Sequence, residues 1–195
     1  MTEETRANTR ITGTLQSVDG RGIVRMEGRY DTDIDDLWSA LTETQRLARW
    51  IAEVEGDLRV GGAFRATFTS GWEGPGRVDA CDPPRHLLVT MTPGGEDETV
   101  IEAALVADGD QTTLVVEERG LPLQELAAHG AGWQAHLEDL VAHSARREPA
   151  DWHTRWTELT PSYREQTVGE TVRTSTSASK TSTPRSRRSK RSAAA

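Results

Sequence analysis

Leu41-Thr-Glu-Thr-Gln-Arg-Leu-Ala-Arg-Trp50 marks the point at which the periodicity of this chain changes. Before it, Ile34, Leu37, Trp38 and Leu41 recur at helical spacing behind Asp33, whose carboxylate can accept from the free N–H groups of a first turn. Within it, Thr44 can cap a second short helix carrying Leu47, Trp50 and Ile51. After it the period falls to two. Gly61-Gly62 opens a strand in which Phe64, Ala66 and Phe68 share one face and Arg65 and Thr67 take the other.

Working outward, residues 22–31 read as a first strand, with Val24, Met26, Gly28 and Tyr30 interleaved with Ile23, Arg25, Glu27 and Arg29. Downstream, residues 76–80 pair back across the loop at Ser70-Gly71 and bring Val78 into the sheet, and Asp82-Pro83-Pro84 stops that strand because proline cannot donate to a ladder. Leu87, Val89 and Met91 alternate next, then Ile101, Ala103 and Leu105. Asp108-Gly109-Asp110 is a hairpin signal leading to Leu114, Val116 and Glu118. Residues 123–147 form a long helix with Leu126, Trp133, Leu137, Leu140, Val141 and Ser144 inward and Glu125, Glu138, Asp139 and Arg146 toward solvent. A short helix bearing Trp152, Trp156 and Leu159 follows, ending at Pro161. The pattern predicts an α+β fold in the order first strand, two short helices, antiparallel strands and a long C-terminal helix.

The stretch 41–50, Gly61-Gly-Ala-Phe-Arg65, Gly76-Arg-Val, Asp82-Pro-Pro-Arg and His129-Gly-Ala-Gly-Trp133 occur in an order and at approximate spacings that resemble the START-like (SRPBCC) superfamily. The similarity is to the bacterial relatives of the C-terminal domain of the heat-shock-protein-90 ATPase activator, over about residues 21–148. The resemblance implies a helix-grip fold, a curved antiparallel sheet wrapped around the long C-terminal helix, whose cavity, between sheet and long helix, serves lipid carriage, cyclisation or protein contact in different members. It divides the chain into a flexible leader over 1–20, the START-like domain over 21–148, a helical extension over 149–168 and a disordered tail over 169–195.

Composition narrows the function classes. The net charge of −8 conceals a division: seven basic residues from Arg173 to Arg191, with no acid among residues 171–195, leave the remainder at −15. An acidic body does not suit specific nucleic-acid binding, and a tail of Ser, Thr, Ala, Arg and Lys lacks the apolar side chains that ordering requires. No apolar run approaches the roughly 20 residues of a membrane span, and the polar start carries no secretory h-region, so a cytoplasmic protein is expected. The single Cys81 reads as a small buried strand residue.

For a site, the alternation of Leu114 and Val116 turns Glu118 inward, and a carboxylate buried without a partner would have a raised pKa. The competing reading pairs Glu118 with Arg119 or Arg65 at the strand end. The expected cavity wall comprises Phe64, Phe68, Val78, Val89, Met91, Ala103, Leu105, Val116, Glu118, Trp133, Leu137 and Leu140, with small Ala66 and Ala103 leaving volume. His129, His136 and His143 recur every seven residues, about 10 Å apart along a helix, so they do not form a metal pair, although His129 and His136 can face the cavity mouth. Trp72, in the loop Ser70-Gly-Trp-Glu-Gly-Pro-Gly76, is either a lid or a contact surface; with no lysine and no helix start there, the glycines do not form a phosphate loop. The reading is a protein binding an apolar or amphipathic small molecule, without metal or cofactor. Two alternatives stay open: a chaperone-stimulating protein-interaction module, and a cyclase, dehydratase or hydrolase using Glu118 as its acid.

Overall fold

Asp19 and Gly20, both at positive φ (52° and 78°), reverse the chain between β1 (Thr12–Val18) and β2 (Arg21–Tyr30). Strand β1 corrects the expectation of a flexible leader over 1–20: of that stretch, residues 12–18 pair antiparallel with β2, and residues 1–9 lie outside the described part. Leu15 and Ser17 are its buried side chains, and Gly13 leaves room that a Cβ would take from Tyr163 and Met26. The computed structural model describes residues 10–166 and 169–171.

Helix α1 (Ile34–Thr42) starts as expected, Asp33 Oδ1 accepting from the Asp36 N–H at 2.9 Å. Helix α2 (Thr44–Leu47) has Glu43 rather than Thr44 at its N-cap and no side-chain cap bond. Trp50 is held instead by its indole, which donates to the Ala40 carbonyl at 2.9 Å and locks the two helices together. Six antiparallel strands follow: β3 (Ala52–Gly56), β4 (Ala63–Phe68), β5 (Glu73–Asp82), β6 (His86–Met91), β7 (Thr99–Asp108) and β8 (Gln111–Leu121). Their order in the sheet is β3-β4-β5-β6-β7-β8-β2-β1, with a short β9 (Gly169–Thr171) parallel to β1 at the far edge. Three residues of the expected disordered tail thus join the sheet; residues 172–195 lie outside the described part.

The sheet curls over helix α3 (Leu126–Ser144), which follows a 3-10 turn at Leu123–Glu125. Leu137 and Leu140 of α3 and Leu114 of β8 are fully buried, so the core lies where the helix meets β8, β2 and β1. Helix α4 (Trp152–Glu165) covers the other side of α3 and runs through Pro161 rather than stopping there. Proline removes one backbone donor, and docking of Tyr163 offsets that loss: its hydroxyl donates to Gln134 Oε1 at 2.7 Å while its ring lies against Gly130, where a Cβ would sit 2.6 Å from it. Burial under this added layer also corrects Asp139, expected in solvent and found only 5% exposed. Cys81, expected to be buried, is exposed at the end of β5, where Asp82-Pro83-Pro84 carries the chain off the sheet. Among the described residues no helix is long and apolar enough to cross a membrane.

Candidate functional site

Strand β8 turns every second side chain toward α3, and in that row Glu118 follows Leu114 and Val116 inward, 6% exposed. Register places Glu118 opposite Ile101 of β7, two residues along from Thr99, and opposite Val24 of β2. On α3, His129 and Trp133 lie one turn apart on the face that meets the strand. The three elements converge on one carboxylate. Glu118 Oε1 accepts from the Thr99 hydroxyl at 3.0 Å, and Oε2 accepts from the Trp133 indole at 2.7 Å and meets His129 Nδ1 at 2.9 Å.

This convergence reverses the expected titration of Glu118. Burial pushes its carboxyl up, but the bond and charge of His129, with the Trp133 and Thr99 donors, outweigh burial and hold it below the usual carboxylate range. For His129 burial acts downward, and the bond and charge of Glu118 with the charge of Glu125 raise the imidazole above its ordinary value. Each partner thus favours the charged form of the other, a carboxylate on Glu118 and a protonated imidazole on His129. The far nitrogen of that ring, Nε2, is 3.7 Å from Glu125 Oε2, beyond hydrogen-bond distance, so it is open to a third group.

A chamber of about 590 Å³ opens beside this pair. Its aromatic lining is Phe68, Trp72, Trp133, His136, Trp152 and Trp156, in a wall that also carries Glu73, Asp97, Glu118 and Glu125. Trp152 and Trp156 are stacked, with centroids 6.0 Å apart and planes 14° from parallel, and His136 lies against Trp152 at 5.1 Å. Trp72 meets Phe68 edge to face at 5.5 Å and lies over Gly74, where any side chain would collide with its ring. At 44% exposure Trp72 occupies the rim, with one side on the chamber and the other in solvent. His136 Nδ1 faces the Trp50 carbonyl at 3.3 Å, and burial lowers this imidazole to about 4, so it is neutral at physiological pH.

Across Phe68, Met91, Ile101 and Trp133, which line both, an inner chamber of about 180 Å³ on the sheet side is walled almost wholly by apolar side chains. Of the residues expected to line a cavity, Phe64, Val78, Val89, Ala103 and Val116 border the inner chamber; Phe68, Met91 and Trp133 border both; Glu118 borders the outer one. Leu105, Leu137 and Leu140 border neither and are packed in the core. Sequence reasoning missed Thr99, Trp152 and Trp156. Thr99 lay one alternation step upstream of Ile101, a readable position, whereas the two tryptophans reach the chamber only through the docking of α4. Among the described residues no three His, Cys, Asp or Glu side chains are grouped to hold a metal ion.

A family model described as Activator of Hsp90 ATPase homolog 1-like protein matches residues 31–145. Among solved structures, the chain is similar to CalU16 from Micromonospora echinospora, at 26% identity over 80% of this chain and 96% of that one, with a TM-score of 0.65. DynU16, a protein in the dynemicin biosynthetic locus, is 26% identical over 66% of this chain and 50% of its own, with a TM-score of 0.60. The protein encoded by gene BPP1335 from Bordetella parapertussis, 23% identical over 75% of this chain and 86% of that one with a TM-score of 0.64, shares the fold. No curated protein matches.

Proposed function

The chain belongs to the Activator of Hsp90 ATPase homolog 1-like family, and we propose that it binds an apolar or amphipathic small molecule in the two chambers between sheet and α3. One observation carries this reading: two adjacent chambers with aromatic and aliphatic walls share Phe68, Met91, Ile101 and Trp133, and a buried, fully partnered carboxylate borders the larger one. A solid core would not leave these volumes, and the apolar inner chamber gives a ligand body about 25 cal/mol for each Å² it removes from water, before ordering costs. The Glu118–His129 pair orients a polar head in the larger chamber. Similarity to DynU16, a protein in the dynemicin biosynthetic locus, fits a small-molecule role.

The experiment is a fluorescence titration with N-phenylnaphthylamine, an uncharged dye that brightens in apolar surroundings. Saturable, blue-shifted emission is expected for the wild type and its loss for Ala103→Phe, which fills the inner chamber, provided circular dichroism shows the variant folded. Unsaturable emission, or equal binding by a folded Ala103→Phe, refutes the reading.

The 2.9 Å contact between Glu118 and His129 favours a second reading, general acid–base catalysis with Nε2 of His129 exchanging a proton in the outer chamber and Glu118 holding the ring. Its test is NMR of a host metabolite extract incubated with wild type and with His129→Gln. A component consumed only by the wild type supports catalysis; an unchanged extract with intact dye binding leaves carriage alone.

A further inference from the structure

The outer chamber is unevenly charged. Glu73, Asp97, Glu118 and Glu125 line it, and among its described lining residues there is neither lysine nor arginine. His136 is neutral, and the His129 ring is already engaged by Glu118 at 2.9 Å and faced by Glu125 at 3.7 Å. Arg65 reaches Glu73 at 2.8 Å on an exposed part of the rim, and among the described residues Asp97 and Glu125 have no cationic partner of their own at the mouth apart from the 3.7 Å approach of His129. The same chamber holds four tryptophans, whose ring faces carry the negative side of the aromatic quadrupole.

We propose that this chamber selects organic cations, an amine or quaternary ammonium carried on an apolar or aromatic body, over neutral and anionic molecules of the same shape. The inference rests on the reading that the chambers bind a small molecule and specifies its charge. An anionic head would approach a mouth lined by carboxylates, with no lysine or arginine among the described lining residues and only the His129 ring, shared with Glu118, to receive it. A cationic head meets carboxylates at the mouth and an aromatic lining behind them, while its apolar body packs against that lining. The excess of acid in residues 1–170 draws the same ligands inward from a distance.

The test is calorimetric titration of the full chain at low salt with tryptamine, tryptophol and indoleacetate, which share an indole and differ in charge. Tryptamine should bind at least about tenfold more tightly than indoleacetate, with tryptophol between them. Raising the ionic strength should narrow that ratio as the exposed carboxylates are screened. The double variant Asp97→Asn, Glu125→Gln changes two exposed residues and should bring the ratio to within about threefold. Equal affinity for tryptamine and indoleacetate, or a ratio untouched by the double variant, overturns the proposal. If N-phenylnaphthylamine still saturates in that case, the cavity reading stands and the charge selection alone fails. If neither the dye nor any of the three indoles binds, both fail together.

Discussion

Glu118 and Asp139 are buried to nearly the same depth, 6% and 5% exposed, yet their carboxyls move in opposite directions. Glu118 lies between three side-chain partners drawn from β7 and α3, one of them the His129 ring, and is held low. Asp139 lies beneath the segment that leads into α4. Burial pushes it up to about 6; the Ala150 N–H opposes that rise, and the charge of neighbouring Glu138 adds to it. Depth therefore does not decide whether a buried acid is charged. The supply of donors does, and a carboxylate provided with three of them beside an aromatic chamber marks a site, whereas one with a single backbone donor marks a helix seam.

The largest test of that contrast is Trp133→Ala, which removes a donor from Glu118 and the ring shared by both chambers. A loss of about 3–5 kcal/mol in urea unfolding is expected. A loss under about 1 kcal/mol would mean that the indole contributes little to core or carboxylate. Next is Glu118→Gln, which leaves an amide against the Trp133 and His129 donors and should cost about 2–3 kcal/mol at neutral pH. The cost should shrink on acidification, because a lowered folded-state pKa gives stability that is present above the unfolded value and lost as pH falls through the folded one.

Asp139→Asn should have the opposite sign. Its raised pKa stabilises the fold below the unfolded value, and that contribution is lost as pH rises through about 6. The variant should accordingly be more stable than the wild type by about 1–2 kcal/mol above that pH, and the gain should disappear near pH 4. A uniform effect across pH would show that Asp139 is ionised throughout, and the contrast with Glu118 would collapse. The smallest effect is read by NMR: the imidazole of His129 should titrate above its ordinary value in the wild type and lower in Glu118→Gln, since removal of the carboxylate leaves burial acting alone with Glu125.

The inward turn of Glu118 was legible in Leu114 and Val116 because a strand's period of two is local information. Its three partners were not, since Thr99, His129 and Trp133 come together through tertiary packing at sequence separations of 19, 11 and 15. The burial of Asp139 was hidden for a related reason: a polar residue beside Glu138 reads as solvent-facing until a second helix is known to lie over it. Strand β1 was overlooked because Thr12–Val18 offers only Leu15 as a large buried side chain, although the Asp19-Gly20 turn after it was a hairpin signal in plain view. The family resemblance supplied the helix-grip architecture, which the strand order confirms; it did not supply Trp152 and Trp156, the part of the aromatic wall that α4 brings.

The sheet is not closed on itself, so it ends in two rows of backbone groups, and the two ends are guarded differently. Strand β3 is five residues long and carries exposed Glu53 and Glu55, so a second copy approaching that edge meets like charge. At the opposite edge, the parallel pairing of Gly169–Thr171 with Gln16–Val18 occupies part of what would otherwise be a template for another chain. Loss of those three residues would uncover it. The short strand after α4 thus bears on colloidal behaviour: a chain ending before residue 169 should keep its chambers and acquire a concentration-dependent tendency to associate.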